Sequence, residues 1–312
     1  MLSRNVSSKI EQAKNPDLPF EATQKLLNSA DITFGNLECP LSDSDIRIRE
    51  GLVFRCLVAD FVGVINSSFD VLSTANNHSF DQGSDNIAFT IDYLKSQGIL
   101  PVGTARSLSP PREREMTEEV IERNGIRFGF LGYSYSAHND GKFSTDPQVA
   151  TMDISQLKTD IAELKTKSDV IIVSMHAGAE YTRHPNQMQT DFAHAAIDAG
   201  ADIILGHHPH WIQDVEVYSP PQAWGGVGGE VVESRKGLIF YSLGNFVFDQ
   251  MWSQDTREGL MVKLEFTDKE LKSAELIPIV IDNYCCPRLA DEKEKQSILL
   301  KINTTSTLIN LK

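Results

Sequence analysis

Two apolar runs that release histidines constrain this chain more than any other feature. Val170 to His176 reads VIIVSMH, and Asp202 to Gly206 reads DIILG immediately before His207, His208 and His210. A continuous apolar run of this length reads as a strand buried on both faces, and α/β proteins put their chemistry where such strands end. The segment between the runs has helical character, starting near Pro185, which suits a first-turn position, and stopping at Gly200. Strand, helix and strand with histidines at both strand ends predict an α/β fold with a polar site at one edge. The His208-x-His210 spacing delivers two imidazoles to one locus when the backbone is extended or turning. A metal or proton-transfer site is the chemistry that pattern supports.

Three further apolar runs end in the same manner. Ile32 to Phe34 leads into Gly35, Asn36, Leu37 and Glu38; the short strand that opens VLSTANNHSFDQG ends in Asn76, Asn77 and His78, with Asp81 three residues on; Gly237 to Ser242 leads into Gly244 and Asn245. Asparagine, histidine and carboxylate are the ligand types that suit borderline divalent ions such as zinc, manganese or iron. Singly, each cluster has a plainer explanation: Asn36 and Asn245 are good turn residues, and His138, His184 and His194 fit surface or hydrogen-bonded roles. Phe246 and Phe248 read as core. Five such strand ends in one chain are hard to reconcile with a plain scaffold.

Helical spacing recurs over Glu21–Ala30, over Val58, Phe61, Val62 and Ile65, and over Leu157, Ile161 and Leu164. Ser84 is the expected N-cap, and Gly98 the terminating residue, of a helix carrying Ile87, Ile91 and Leu94. Met1 to Pro19 shows no clear periodicity. Val215–Tyr218, Leu260–Phe266 and Ala274–Ile281 read as late strands, the last two antiparallel, and the tail after Asp291 as a weak helix or strand. Residues 107–119 read as a charged surface connection. Residues 219–236 are rich in Gly and Pro; they form an inserted loop, read as a lid with Trp224 pointing inward or as surface decoration. They lack the strand–loop–helix order of a phosphate-binding loop. With neither repeat nor linker in view, one domain over 1–312 is expected.

Composition excludes several classes. At 312 residues and 41% hydrophobic, the chain can bury a sizeable core. No run approaches the roughly 20 apolar residues of a membrane span, and no signal peptide precedes the first helix-like segment, so the sequence as given reads as soluble. A formal net charge of −14 without a basic stretch argues against nucleic acid. It would also repel an anionic ligand unless bound cations reverse the field locally. Cys39, Cys56, Cys285 and Cys286 show no CxxC spacing; adjacent cysteines seldom bridge, so buried, inert thiols are expected.

With these residues in place, the chain resembles the CapA family of bacterial capsule (poly-γ-glutamate) proteins, within the calcineurin-like metallophosphoesterase superfamily. The pieces that carry the resemblance are GNLECPLS (35–42), ANNHSFDQG (75–83), HAGAEY (176–181), AIDAGADIILGHHPHWIQ (196–213) and YSLGNFVFDQ (241–250), which span most of the chain. The resemblance implies two β-sheets flanked by helices, with a dinuclear-type site at one edge holding one or two divalent ions (Mn, Zn or Fe). It places Glu38, Asn77, His176, His208 and His210 at metal-ligand positions and His78 at the catalytic histidine, with Asp81 beside it. Asn36, Asn76, Glu180, His207 and Asn245 would line the substrate pocket; His207 stands where the superfamily has a glycine. One departure is large: related chains open with a strand ending in a Gly-Asp pair whose Asp is a ligand, and here Met1 falls inside that motif. The expectation is a missing N-terminal strand and reduced metal occupancy, with an upstream start that could also carry a cell-envelope anchor.

Three functions are compatible with these residues. The first is a metal-dependent hydrolase of phosphoester or amide bonds, acting on an anionic small molecule or a polymer such as poly-γ-glutamate. The second is a non-hydrolytic assembly or export factor working with membrane-associated capsule machinery. The third, lower reading is a metal-independent acid–base enzyme of epimerase type.

Overall fold

The protein is described by a computed structural model that places residues 1–44, 51–105, 120–139, 148–220 and 236–304. The residue 107–119 connection, nearly all of the 219–236 insertion and Trp224 lie outside the described residues.

The chain opens with α1 (Asn5–Ala13), which packs Val6 and Ile10 into the core, and a single turn α2 (Gln24–Leu27). The short strands β1 (Phe34–Asn36), β2 (Val71–Ser73) and β3 (Leu100–Val102) form a parallel sheet in that order, with α3 (Val62–Asn66) and α4 (Ser84–Ser96) in the crossovers. The helix expected over Glu21–Ala30 is only the single turn α2. The helix in the polar opening was not legible in the periodicity, because two buried residues four apart leave no repeat to read. Ser84 is the first residue of α4 and not its cap; Gly83 occupies the cap, while Gly98 lies just past the helix with φ +75 as expected.

A second, mixed sheet of six strands runs β4-β5-β6-β7-β9-β8. Its members are β4 (Val120–Arg123), β5 (Ile126–Ser134), β6 (Val170–His176), β7 (Ile203–His207), β8 (Val215–Tyr218) and β9 (Gly237–Phe240), with β5, β6, β7 and β9 parallel. Helices α5 (Ile154–Leu164) and α6 (Gln187–Ala199) connect and cover it. Asn186 caps α6 with a full capping box closed by Gln189, so Pro185 stands before the cap and not in the first turn. The third sheet is antiparallel: after the turn α7 (Gln254–Arg257) come β10 (Glu258–Thr267), β11 (Glu270–Asp282) and β12 (Cys286–Leu289), and then α8 (Glu292–Leu299).

Period-2 alternation explains how the six-stranded sheet is covered. Along β6, Val170 and Ile172 face β10 and β11, while Ile171, Val173 and Met175 face α5 and α6. Both faces are therefore apolar, which is why the run looked continuous in sequence. The architecture is α/β, with mixed sheets flanked by helices, as expected. The ladders divide into three sheets where two were expected.

Two of the four cysteines depart from expectation. Cys285 and Cys286 are bonded to each other as a disulfide in the turn between β11 and β12, whereas Cys39 and Cys56 are free, buried thiols. Among the described residues no helix is long and apolar enough to cross a membrane.

Candidate functional site

Five strand ends converge at one edge. His176 ends β6, and in the parallel ladder it lies directly beside His207, the last residue of β7. Past β7 the chain turns sharply, with His208 at φ 101 and His210 at φ 59; Tyr181, in the loop after β6, sits at φ 61. Non-glycine residues in that region are strained, and such strain tends to gather at functional sites. The turn brings the His176 and His208 rings to 5.0 Å and the His208 and His210 rings to 6.2 Å, centroid to centroid.

Asn77, from the loop after β2, reaches this cluster: its Oδ1 lies 2.8 Å from His176 Nε2. Its Nδ2 donates to Asn139 Oδ1 at 2.9 Å, which fixes the amide with its oxygen toward the histidine. Asn245, after β9, does the same for His210. Its Nδ2 donates to the Thr256 carbonyl (2.9 Å) and to Gln250 Oε1 (3.2 Å), so Oδ1 must accept from His210 Nδ1 at 2.9 Å. A neutral His210 then presents a bare Nε2.

His78 and Asp81 form a buried pair. His78 Nδ1 is 2.6 Å from Asp81 Oδ2, an oxygen that also accepts the Phe54 backbone N–H at 2.6 Å. The His78 ring lies on Phe54, 4.0 Å between centroids. Asn76 accepts the His78 N–H through Oδ1 and donates to the Leu37 carbonyl, tying the β2 loop to the β1 loop. From that loop Asn36 donates to Glu38 Oε2 at 3.2 Å.

Burial dominates the electrostatics. It pushes the His176 pKa well below the ordinary imidazole value, with mutual repulsion from His208, His207, His78 and His210 adding to it. Burial lowers His207 to about 4, and burial with repulsion from His210 and His78 lowers His208 to about 3. These imidazoles are neutral at physiological pH and so have lone pairs to offer. Glu38 is raised by burial and by Glu180, against the pull of His210 and the N-terminal ammonium. Four buried atoms in the cluster have no hydrogen-bond partner: Glu38 Oε1, His176 Nδ1, His207 Nε2 and His208 Nδ1.

The pocket opens into a cleft of about 640 Å³ that runs between β1 and β10 and is walled by Phe34, Phe130, Leu205, Leu260 and Val262, with Glu38, His207, His208 and His210 at its inner end. Among the described residues β1 pairs only with β2, so its other edge faces this cleft.

All twelve residues singled out in the sequence thus lie at or around one locus, Glu180 at its exposed rim. His138, His184 and His194 have their own partners, in Phe80, Asp214 and Glu216. Sequence reasoning missed Tyr135 (ring 4.8 Å from His208), Asn139, Tyr181 and Gln250. Tyr135 lies just past a strand and could have been found by the same strand-end rule. Asn139 and Gln250 carry no such signal.

The donor set fits a borderline divalent ion in kind: neutral imidazoles, an amide oxygen, one carboxylate and orphaned buried atoms. It does not fit in number. Among the described residues no group of three His, Cys, Asp or Glu side chains is placed to hold a metal ion.

Fold and pocket together define an α/β protein with a histidine-rich, carboxylate-poor site at its strand ends. The chain belongs to the bacterial capsule synthesis protein PGA_cap family, whose model matches residues 1–250. It is 30% identical over 310 residues to the PGA biosynthesis protein CapA of Bacillus subtilis, covering 96% of this chain and 74% of that protein. To the capsule biosynthesis protein CapA of Bacillus anthracis it is 29% identical, over 90% of this chain and 65% of that one. Among solved structures it is similar to a 5'-nucleotidase precursor from Thermus thermophilus (TM-score 0.43, 18% identity, 78% of this chain and 44% of that one). It is likewise similar to the Haemophilus influenzae NAD nucleotidase (TM-score 0.40, 12% identity, 78% and 49%).

Proposed function

We propose that this protein serves capsule-polymer biosynthesis, as the names of its Bacillus relatives indicate for them, and that its pocket hydrolyses a phosphoester or amide bond of an anionic substrate such as poly-γ-glutamate. The observation that carries this reading is the His78–Asp81 pair set beside a nest of neutral, unsatisfied histidines. Asp81 accepts the Nδ1 proton of His78 and so holds the tautomer in which Nε2 faces away from the carboxylate. A protonated His78 would give its Nε2 proton to the leaving group, and the buried carboxylate stabilises the imidazolium that this requires. Asn77 and Asn245 orient His176 and His210, while Asn36, Asn76, Glu180 and His207 line the approach. Glu38, Asn77, His176, His208 and His210 are the residues that would contact a divalent ion (Mn, Zn or Fe, one or two); such an ion supplies Lewis acidity when bound.

The test is turnover of a generic phosphoester and of a γ-glutamyl amide by purified protein, with and without chelator, beside His78→Ala. Turnover reduced about 10²- to 10⁴-fold in the variant supports the reading. Unchanged turnover in the variant refutes it, and undiminished turnover in chelator removes the metal from it.

One observation favours a second reading, a non-hydrolytic assembly or export factor: among the described residues no group of three acid, histidine or cysteine side chains is placed to hold a metal ion. Binding of poly-γ-glutamate with no cleavage of ester or amide would select it.

A further inference from the structure

Beside His210, outside the cleft between β1 and β10, Tyr181 and Trp252 make an aromatic corner. Their ring centroids are 4.8 Å apart and their planes nearly perpendicular, at 83°. Tyr181 also stacks on His210, 5.9 Å between centroids. Its backbone is held in the left-handed region by its N–H, which donates to the Pro209 carbonyl at 2.8 Å, and its hydroxyl accepts from Gln250 Nε2 at 3.2 Å. Strained backbone and hydrogen bonds together fix this ring beside His210. Trp252 is 60% exposed. An indole left that far in water, edge to face with a strained tyrosine that stacks on His210, is a surface set out for contact.

The aromatic faces and the carboxylate of the corner share one sign, and the nearest cation, Arg183, lies over the Trp211 ring. Aromatic faces carry negative quadrupole potential. Glu180, adjacent in sequence and exposed, places its carboxylate at the Tyr181 hydroxyl; burial and that carboxylate push the phenol up to about 12. The cations nearby are committed elsewhere: Arg183 pairs with Asp255, and Lys301 bridges Asp255 and Glu258. The whole chain carries −14. A neutral ring would gain from the aromatic faces alone, and a carboxylate would be repelled by all of these fields. A cation gains from each of them.

We propose that the Tyr181–Trp252 corner, with Glu180, is a subsite for an ammonium group on the ligand that enters the histidine pocket. The inference rests on the reading that this pocket is the reacting site. In a glutamate polymer every interior nitrogen is an amide, and only the amino end is an ammonium. The subsite therefore selects chain ends over chain interiors.

The experiment is calorimetric titration of the full chain with a short γ-linked glutamate oligomer, as the free amine and as its N-acetylated form. The free amine is expected to bind about 10-fold more tightly. Trp252→Ala and Glu180→Gln should each abolish most of that difference, while Trp252→Phe keeps much of it. Equal affinity of the two forms, or equal weakening of both by Trp252→Ala, overturns the proposal. Tetramethylammonium chloride, titrated alone against sodium chloride with intrinsic fluorescence as readout, reports the corner without the pocket. A change that depends on Trp252 is expected, and its absence overturns the proposal whatever the pocket does. A fluorescence change without any turnover counts against the hydrolytic reading alone.

Discussion

Acidification should unfold this protein from the site outward. His176, His207 and His208 are held neutral by burial, His207 with a pKa of about 4 and His208 of about 3, whereas in the unfolded chain each titrates near 6.5. Between pH 6.5 and those folded values the unfolded chain binds protons that the fold refuses. Stability is then lost as pH falls, by about 1.4 kcal/mol per unit for each histidine. Glu38 works the other way: its raised pKa means that the fold keeps a proton the unfolded chain has released, a contribution present at low pH and lost as pH rises. The three histidines together cost about 4 kcal/mol between pH 7.5 and 5.5, a large share of a typical 5–15 kcal/mol, and Glu38 offsets part of that loss. With a urea m-value of about 3 kcal/mol per molar for a chain of this size, the midpoint should fall by about 1 M. Urea melts in chelator at pH 7.5, 6.5 and 5.5 measure it, since a bound metal would itself resist protonation. His208→Gln should make the slope shallower by about one proton, whatever it does to stability at pH 7.5. A midpoint that stays constant or rises on acidification would refute the burial of these imidazoles as neutral groups.

Other consequences are local. Gly206→Ala would drive a Cβ into the Tyr241 carbonyl of the neighbouring backbone, so a loss of at least 1–3 kcal/mol is expected, read as a lower melting temperature or as insoluble protein. Asn186→Ala breaks the capping box of α6 and should cost about 1 kcal/mol by urea melt. Asp81→Asn should reverse the hydrogen bond to His78 and lower turnover by up to about 10⁴-fold, with substrate affinity little changed. A parallel rise in KM would argue instead that the loop after β2 had moved.

The strands that carry histidines were legible because burial on both faces leaves an unmistakable apolar run, and because β6 and β7 each stop on the residue that the pocket uses. β1 and β2 were legible only through the polar clusters at their ends: three-residue strands hold no periodicity of their own. The helix α1 was invisible because its partners are distant in sequence; Val6 and Ile10 owe their burial to a cluster that includes Cys56, Leu94 and Val247. Adjacency of Cys285 and Cys286 argued against a bond, and the turn after β11 makes one. In the site, ligand-type residues could be named from sequence. Asn139 and Gln250, whose amides decide which way Asn77 and Asn245 point, are ordinary loop residues until the fold places them.

Four buried, unsatisfied polar atoms gather at the histidine cluster. Buried polar atoms without partners are normally few, because each costs about 1–3 kcal/mol. Here four of them, on Glu38, His176, His207 and His208, face one pocket. Three strained backbones, at Tyr181, His208 and His210, lie in the two loops that follow β6 and β7. Nothing in the packing of the sheets requires either feature: β6 and β7 would pair equally well if they ended in serine. The instability predicted at low pH, the orphaned atoms and the strain are thus one phenomenon, a site whose groups wait for something outside the chain to complete them. Because His207 and His208 stay neutral in the fold down to about pH 4, protons barely compete for their lone pairs above pH 5.5. A divalent ion held through His176 and His208 should therefore lose little of its effect on the urea midpoint to protonation of these two histidines between pH 7.5 and 5.5, and the raised Glu38 carboxyl is the ligand at which protons compete. Solvent-exposed imidazoles titrate near 6.5 and lose about 10-fold in metal affinity, per histidine ligand, for each pH unit below it. A stabilisation by zinc or manganese that collapses between pH 6.5 and 5.5 in a Glu38→Gln variant as well would mean that the ion binds elsewhere on the chain.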